Sequence, residues 1–397
     1  MNKTSGTITV WITIPWFFPA WRAGGPVQSV QNLVAGPVEG IEYRIYCGHA
    51  EWDGSPLPGI ETGKWVPYNQ HTFVWYAGPG KRRQDLVREL ERVAPDILFV
   101  NGIYDWYFNI LPLWVGRKMR RIVSVRGMLH PGALAQKGLK KKLFLGLWKA
   151  LRLHRYLEFH AATGEEKGHI KTVFGKRVTI HVAANLPRTL EKQEIKDKIP
   201  GCLSLVTVAL ISPMKNILLV LEALKTVKER VEYHLFGPVI DKGYWQQCTA
   251  VIHALPPNIT VHVYGGLNPA DLPMALGKGH MFILPSRSEN FCHAIYEALV
   301  TGKPVITSHH TPWNSLQEAK AGRNVAIKDN EDLAETIRYF AAMTGEELEE
   351  WSRGATAYAN KKIDRHEIRQ QYRRMFVGED KNAGRKKEGR TNEKNRA

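Results

Sequence analysis

Short apolar runs alternate with helix-length stretches along most of this chain, and that alternation is the pattern of βαβ units and parallel sheets. In the first half the runs are residues 8–14, 43–47, 97–100 and 122–125, each followed by Gly, Pro or Asn turn signals. Residues 187–200 (PRTLEKQEIKDKIP) are polar, charged and bounded by prolines, which marks a linker. A fresh series then begins, with strand runs at 203–210, 233–236, 259–264, 281–284 and 304–307 and helices over 216–230 and 291–301. Two α/β domains joined near residue 190 follow, and 397 residues supply a core for each.

Composition excludes several other classes. With 44% hydrophobic and 23% charged residues the chain is neither collagen-like, mucin-like nor wholly disordered. Cys47, Cys202, Cys248 and Cys292 lie far apart with no CxxC pair, so neither a zinc ribbon nor a disulfide framework is expected, and a reducing cytoplasm is the simpler setting. The uncharged run at residues 4–21 is long enough for a secretory core segment, but Pro15, Pro19 and several hydroxyl residues interrupt it. It reads as a buried first strand running into a loop, in a soluble protein without export.

The net charge is +17, and its distribution is uneven. Residues 117–155 hold twelve Lys/Arg and no Asp or Glu. Within them Leu139, Leu143, Leu147 and Leu151, with Phe144 and Trp148, recur at helical spacing beside Lys140, Lys141, Lys142, Lys149 and Arg152. Such a helix either lies on an anionic membrane surface or docks on its own sheet with a solvated basic face. A second basic segment, residues 381–396, has almost no apolar residue and reads as a disordered tail. The charge also admits a nucleic-acid-binding protein, although no reader motif accompanies it.

Gly24-Gly25 follows the first strand, yet no GxGxxG, P-loop, Asp-x-Asp, HExxH or Gly-x-Ser-x-Gly motif stands anywhere. The informative stretch is residues 285–306, PSRSENFCHAIYEALVTGKPVI. A buried strand ends at Pro285, a polar turn follows, and a helix is expected to open around Asn290. Glu289 and Glu297, eight residues apart, are then separated by roughly 12 Å along the helix axis, too far to flank one bond but suited to gripping two ends of an elongated ligand. For two glutamates alone, a helix cap and a surface residue is the plainer reading.

The context changes that weighting. Pro285-Ser286, the glutamate spacing, Glu297-Ala298-Leu299 and Gly302-Lys303-Pro304-Val305-Ile306 together resemble the signature of the retaining GT-B glycosyltransferases of family 4, the bacterial group 1 type. Ser212-Pro213-Met214-Lys215-Asn216 resembles that family's phosphate-binding turn, and Gly24-Gly25-Pro26 its N-terminal glycine loop. Arg126-Gly127-Met128-Leu129, His160-Ala161-Ala162-Thr163 and Val182-Ala183-Ala184-Asn185 resemble the later half of its acceptor domain, so the likeness runs from about residue 8 to 330.

The resemblance implies two Rossmann-like domains with parallel sheets facing across a deep cleft. Residues 1–187 would form the acceptor side and 188–378 the nucleotide-sugar side, with the last helices packing back on the first domain and 379–397 a tail. It implies that Lys215 neutralises the donor diphosphate and that Glu297 binds the ribose hydroxyls. Glu289, with Asn290, Phe291, Cys292 and His293, would hold the donor sugar, while Gly24, Gly25 and Arg126 approach from the first domain. No metal or cofactor is implied, since the lysine, the helix dipole and backbone amides take the place of a cation. Three departures stand out. Leu210 occupies the place where the family usually has an arginine, so Arg287 or Arg126 would have to supply a guanidinium; Arg126 itself stands where many members carry a histidine; and Asn290 and Cys292 replace common glycines.

The expected activity is transfer of a sugar from a nucleotide sugar to a saccharide or lipid-linked acceptor, with retention by front-face displacement, in surface polysaccharide assembly. The expected place is the cytoplasm, peripheral on the inner face of the membrane. The competing enzyme readings are a nucleotide-sugar epimerase or a phosphorylase on the same fold.

Overall fold

The first apolar run forms β1 (Ile8–Thr13), with every side chain after Ile8 buried. The structure is a computed structural model that describes residues 6–80, 83–135, 138–194, 197–328 and 330–378. The expected tail at 379–397 and the side chain of Leu139 lie outside the described residues.

β1 sits inside an eight-stranded sheet with β2 (Ile41–Gly48), β3 (Trp65–Asn69), β4 (Thr72–Ala77), β5 (Ile97–Asn101), β6 (Arg120–Ser124), β7 (Glu158–Ala161) and β8 (Thr179–Val182). The order is β3-β4-β2-β1-β5-β6-β7-β8, parallel throughout except for the antiparallel β3–β4 pair. Central β5 is wholly buried, whereas the edge strands β3 and β8 are half-buried or exposed, as expected when helices cover both faces. The helices between these strands are α1 (Gly25–Val34), α2 (Arg83–Val93), α3 (Leu111–Val115), α4 (Pro131–Ala135), α5 (Gly138–Ala150) and α6 (Gly164–Phe174).

The second sheet contains β9 (Cys202–Val208), β10 (Arg230–Phe236), β11 (Ile259–Gly265), β12 (Met281–Leu284), β13 (Val305–Ser308) and β14 (Gly322–Val325), in the order β11-β10-β9-β12-β13-β14 and all parallel. Its helices are α7 (Ile217–Leu224), α8 (Lys242–His253), α9 (Leu272–Gly277), α10 (His293–Val300), α11 (Asn330–Ala342) and α12 (Gly345–Lys362). Alternation along β9 sends Leu203 and Leu205 into a core with α7 and α11, and Val206 into another with α9, α10 and α12. The chain divides into one unit of Met1–Pro19, Val30–Leu186 and Arg365–Ala397, which includes α13 (Arg365–Val377), and a second of Ala20–Ser29 and Pro187–Asp364.

Several expectations from the sequence shift. The helix expected over 216–230 stops at Leu224, and by Arg230 the chain is already in β10, held in parallel register with Cys202. Strands β3, β4, β7, β8 and β14 have no counterpart among the expected runs. On α5 the described leucines of the expected stripe face outward: Leu143 is 77% and Leu147 is 55% exposed. The helix instead buries Leu145 and Trp148 and packs Phe144 against the core. Large buried side chains contribute roughly 1.5–3 kcal/mol each, which favours that face. No helix among the described residues is long and apolar enough to cross a membrane.

Candidate active site

In the second sheet the strand order reverses between β9 and β12, and open α/β sheets bind ligands at the carboxyl ends of the strands flanking such a reversal. The loops leaving these two strands carry Lys215 and Glu289. After β9 the chain turns through Ser212, whose carbonyl accepts from the Lys215 amide at 3.0 Å, and Asn216 caps α7 in a left-handed conformation. After β12 the loop is pinned along its length. Arg287 donates its amide to the Met214 carbonyl at 2.8 Å, Glu289 donates its own to His310 at 3.2 Å, and the Trp313 indole reaches the Phe291 carbonyl at 2.5 Å.

These bonds bring Lys215 Nζ to 2.5 Å from Glu289 Oε1. Burial alone would lower the Lys215 pKa, but the Glu289 carboxylate outweighs it and holds the ammonium above its ordinary value. The lysine therefore stays charged.

Helix α10 begins at His293, three residues later than expected, and Glu289 lies in the loop before it. The estimate of 12 Å along one helix axis does not apply, because only Glu297 is helical. Cys292 precedes the helix at φ 62, ψ 81, a backbone state in which a side chain costs roughly 1 kcal/mol or more and glycine costs little. Cys292 thus keeps a glycine-like backbone while adding a thiol. Burial, then the nearby Glu289 charge, pushes that thiol up to about 12.

One turn apart on α10, His293 and Glu297 face the start of α1. His293 Nε2 lies 3.0 Å from Ser29 Oγ, and the Ser29 hydroxyl reaches the Gly25 carbonyl at 2.9 Å. Gln28 donates its amide to Glu297 Oε1, and Arg188 Nε stands 2.7 Å from the same oxygen. Glu297 is 3% exposed; burial raises its pKa, with Arg188 and Gln28 opposing the rise. Gly24 has φ +79, and a Cβ there would meet Leu210 Cδ1 at 3.4 Å, so the glycine turn and the apolar Leu210 lie together. Gly25 opens α1 with nothing within 4 Å of where a Cβ would stand.

Residues 191–358 match the family model of glycosyl transferases group 1. That segment resembles the group 1 glycosyltransferases. No curated protein matches the chain in sequence. Among solved structures, sucrose-phosphate synthase from Thermosynechococcus elongatus superposes with a TM-score of 0.67 at 14% identity, over 94% of this chain and 100% of the other. HepE from Anabaena, in complex with UDP-glucose, gives 0.67 at 15% identity over 94% and 100%. WaaG, a glycosyltransferase involved in lipopolysaccharide biosynthesis, gives 0.63 at 14% identity over 94% and 100%. At these identities the likeness establishes the GT-B fold.

The unit that carries the matched segment holds Gly24, Gly25, Lys215, Glu289, Asn290, Phe291, Cys292, His293 and Glu297. Arg126 belongs to the other unit, where its guanidinium bonds Asn101 Oδ1 at 2.8 and 3.0 Å and Asn185 Oδ1 at 2.8 Å. Arg287 is exposed. Gln28, Ser29 and Arg188 escaped the sequence reading. The first two lie one turn along α1 from the glycines, a spacing that signals a shared face, whereas a lone arginine in a charged linker signals nothing.

Among the described residues, one group could converge on a metal: His130, Glu165 and His169. Glu165 Oε1 lies 4.0 Å from His130 Nε2 and 3.8 Å from His169 Nε2. His130 Nδ1 accepts from the Gly132 amide at 3.1 Å, so a neutral ring keeps its proton on Nε2, the atom facing Glu165. That arrangement suits a ring N–H facing a carboxylate rather than a metal ligand.

Proposed function

We propose that the chain is a retaining glycosyltransferase that moves a sugar from a nucleotide sugar to a saccharide or lipid-linked acceptor in surface polysaccharide assembly. The observation that carries this reading is the charged Lys215 beside Glu289 at the strand-order reversal, one loop away from the buried Glu297, all within the group 1 segment. In it Lys215 exchanges Glu289 for the donor diphosphate and offsets the charge that grows on the leaving group. Glu297 accepts from the ribose, and the loop at 289–293 holds the sugar. The departing phosphate takes the proton of the acceptor hydroxyl as that oxygen bonds the anomeric carbon on the same face. The products are a glycoside and a nucleoside diphosphate, with no metal or cofactor required. The UDP-glucose complex of HepE supports a nucleotide-sugar donor, and the role of WaaG supports a surface-polysaccharide setting.

The same reading places the protein on the inner face of the cytoplasmic membrane through α5. Leu143, Leu147 and Leu151 are exposed there among the exposed Lys140, Lys142, Lys149 and Arg152, the composition of an anionic-lipid contact. Lys141 is turned away, its ammonium donating to the Ala133 carbonyl at 2.5 Å.

A thermal-shift screen of UDP, GDP, ADP and CMP sugars tests the donor reading, since a tight ligand stabilises the fold by mass action. Release of nucleoside diphosphate only when acceptor is present separates transfer from epimerase or phosphorylase chemistry. No stabilisation by any nucleotide sugar overturns the proposal.

A further inference from the structure

Glu297 is met on one oxygen by two groups from distant parts of the chain, an amide that donates to it and a guanidinium that pairs with its charge. Gln28 Nε2 donates to Oε1 and Arg188 Nε lies 2.7 Å from the same oxygen, while no hydrogen bond among the described residues engages Oε2. Arg188 is itself fixed at its far end, where Nη1 donates to the Pro269 carbonyl at 3.0 Å. Pro269 opens the short helical turn Pro269–Asp271 that leads into α9. The guanidinium is therefore strung between a backbone carbonyl and a carboxylate that is 4% exposed at its side chain.

A carboxylate in such a place faces two demands. To accept from two vicinal hydroxyls it must be ionised, because a protonated acid turns one oxygen into a donor. It must also be held in one rotation about its terminal bond, since that torsion is otherwise broad. Arg188 meets both, as its charge is permanent and its fork is planar.

We propose that Arg188 is a positioning residue of the donor site: with Gln28 it occupies Oε1 of Glu297 and so presents an ionised Oε2 to the two ribose hydroxyls of a nucleoside diphosphate sugar. This rests on the donor-site reading of Glu297. Burial, which raises the Glu297 pKa, makes the carboxylate depend on that arginine. Discrimination between ribose and deoxyribose is thereby assigned to a residue that touches neither.

The test compares binding of UDP, GDP and ADP with their 2′-deoxy counterparts to the full chain, in wild type, Arg188→Met and Arg188→Lys. Hydrogen bonds to a charged acceptor predict that wild type favours the best ribonucleotide over its deoxy form by roughly tenfold or more. Arg188→Met keeps the aliphatic stem and should bring that ratio close to one at neutral pH. Raising the pH should return part of the preference as the carboxylate ionises, and deoxynucleotide affinity should change little. Arg188→Lys keeps the charge without the fork and should fall between. An unchanged ratio in Arg188→Met at both pH values overturns the proposal, and if that variant does not fold, an unchanged ratio in Arg188→Lys does so. A wild type that binds ribo and deoxy forms equally removes the donor reading of Glu297, and this proposal with it.

Discussion

Lys215 and Glu289 form a pair with Nζ 2.5 Å from Oε1, the lysine side chain 20% and the glutamate 11% exposed. Any diphosphate that reaches this lysine competes with the carboxylate, so in the proposed site one contact serves both stability and donor binding. Lys215→Met should cost on the order of 3 kcal/mol by leaving Glu289 buried without its cation, and should lower kcat/KM by about a hundredfold or more. Adding Glu289→Gln should restore much of the melting temperature without restoring turnover. Full activity in Lys215→Met sinks the assignment.

Transfer is expected to survive EDTA. The positive side of the proposed site is Lys215 together with the amides at the start of α10, and neither needs a metal. A sugar-transfer assay with and without chelator decides it: turnover lost on chelation and regained with Mg²⁺ or Mn²⁺ would count against the proposed mechanism.

Sedimentation with lipid vesicles should separate the lysines of α5. Changing Lys140, Lys142 and Lys149 together to Gln should weaken binding to anionic vesicles by roughly a hundredfold, at about 1 kcal/mol per charge near the surface. Lys141→Gln should do far less, because that ammonium is on the Ala133 carbonyl. Leu143→Ser with Leu147→Ser should reduce binding further, and added salt should mimic the lysine changes. Equal sedimentation of the wild type and the triple variant refutes this surface.

His160 gives a pH signature to the first unit. It is fully buried between Ser124 Oγ and the Ala183 carbonyl, each at 2.8 Å, and burial lowers its pKa to about 3. The unfolded chain binds this proton at its ordinary value near 6.5, so stability is intact above that pH and falls as pH drops toward 3. Between pH 8 and pH 5 the expected loss from this residue is about 2 kcal/mol. Urea unfolding at both pH values should reveal it, and His160→Gln should remove that part of the dependence. An identical pH profile in the variant would refute the assignment.

The proposed donor side was legible in the sequence because buried parallel strands are continuous apolar runs, and Lys215 and Glu289 stand just past two of them. Edge strands were not. β8 reads exposed, half-buried, half-buried, exposed, and β3 carries Pro67, so neither makes an apolar run. On α5 the spacing of Leu143, Leu147 and Leu151 identified a face of the helix but not the direction it points. The bulk of Trp148 and Leu145 on another face decided that. Glu297 was legible from its motif, while of its partners Gln28 is traceable only through its spacing from the glycines, and Arg188 comes from a charged linker whose pattern carries no trace of the contact.

Cys292 sits in the loop proposed to hold the sugar, yet its chemistry is quiet. Burial and the Glu289 charge push this thiol up to about 12, so it stays protonated at neutral pH, whereas alkylating agents and peroxides attack the thiolate. Where glycine would have been inert by lacking a side chain, this loop carries a sulfur that burial first, and its acidic neighbour second, keep in the protonated, less reactive form.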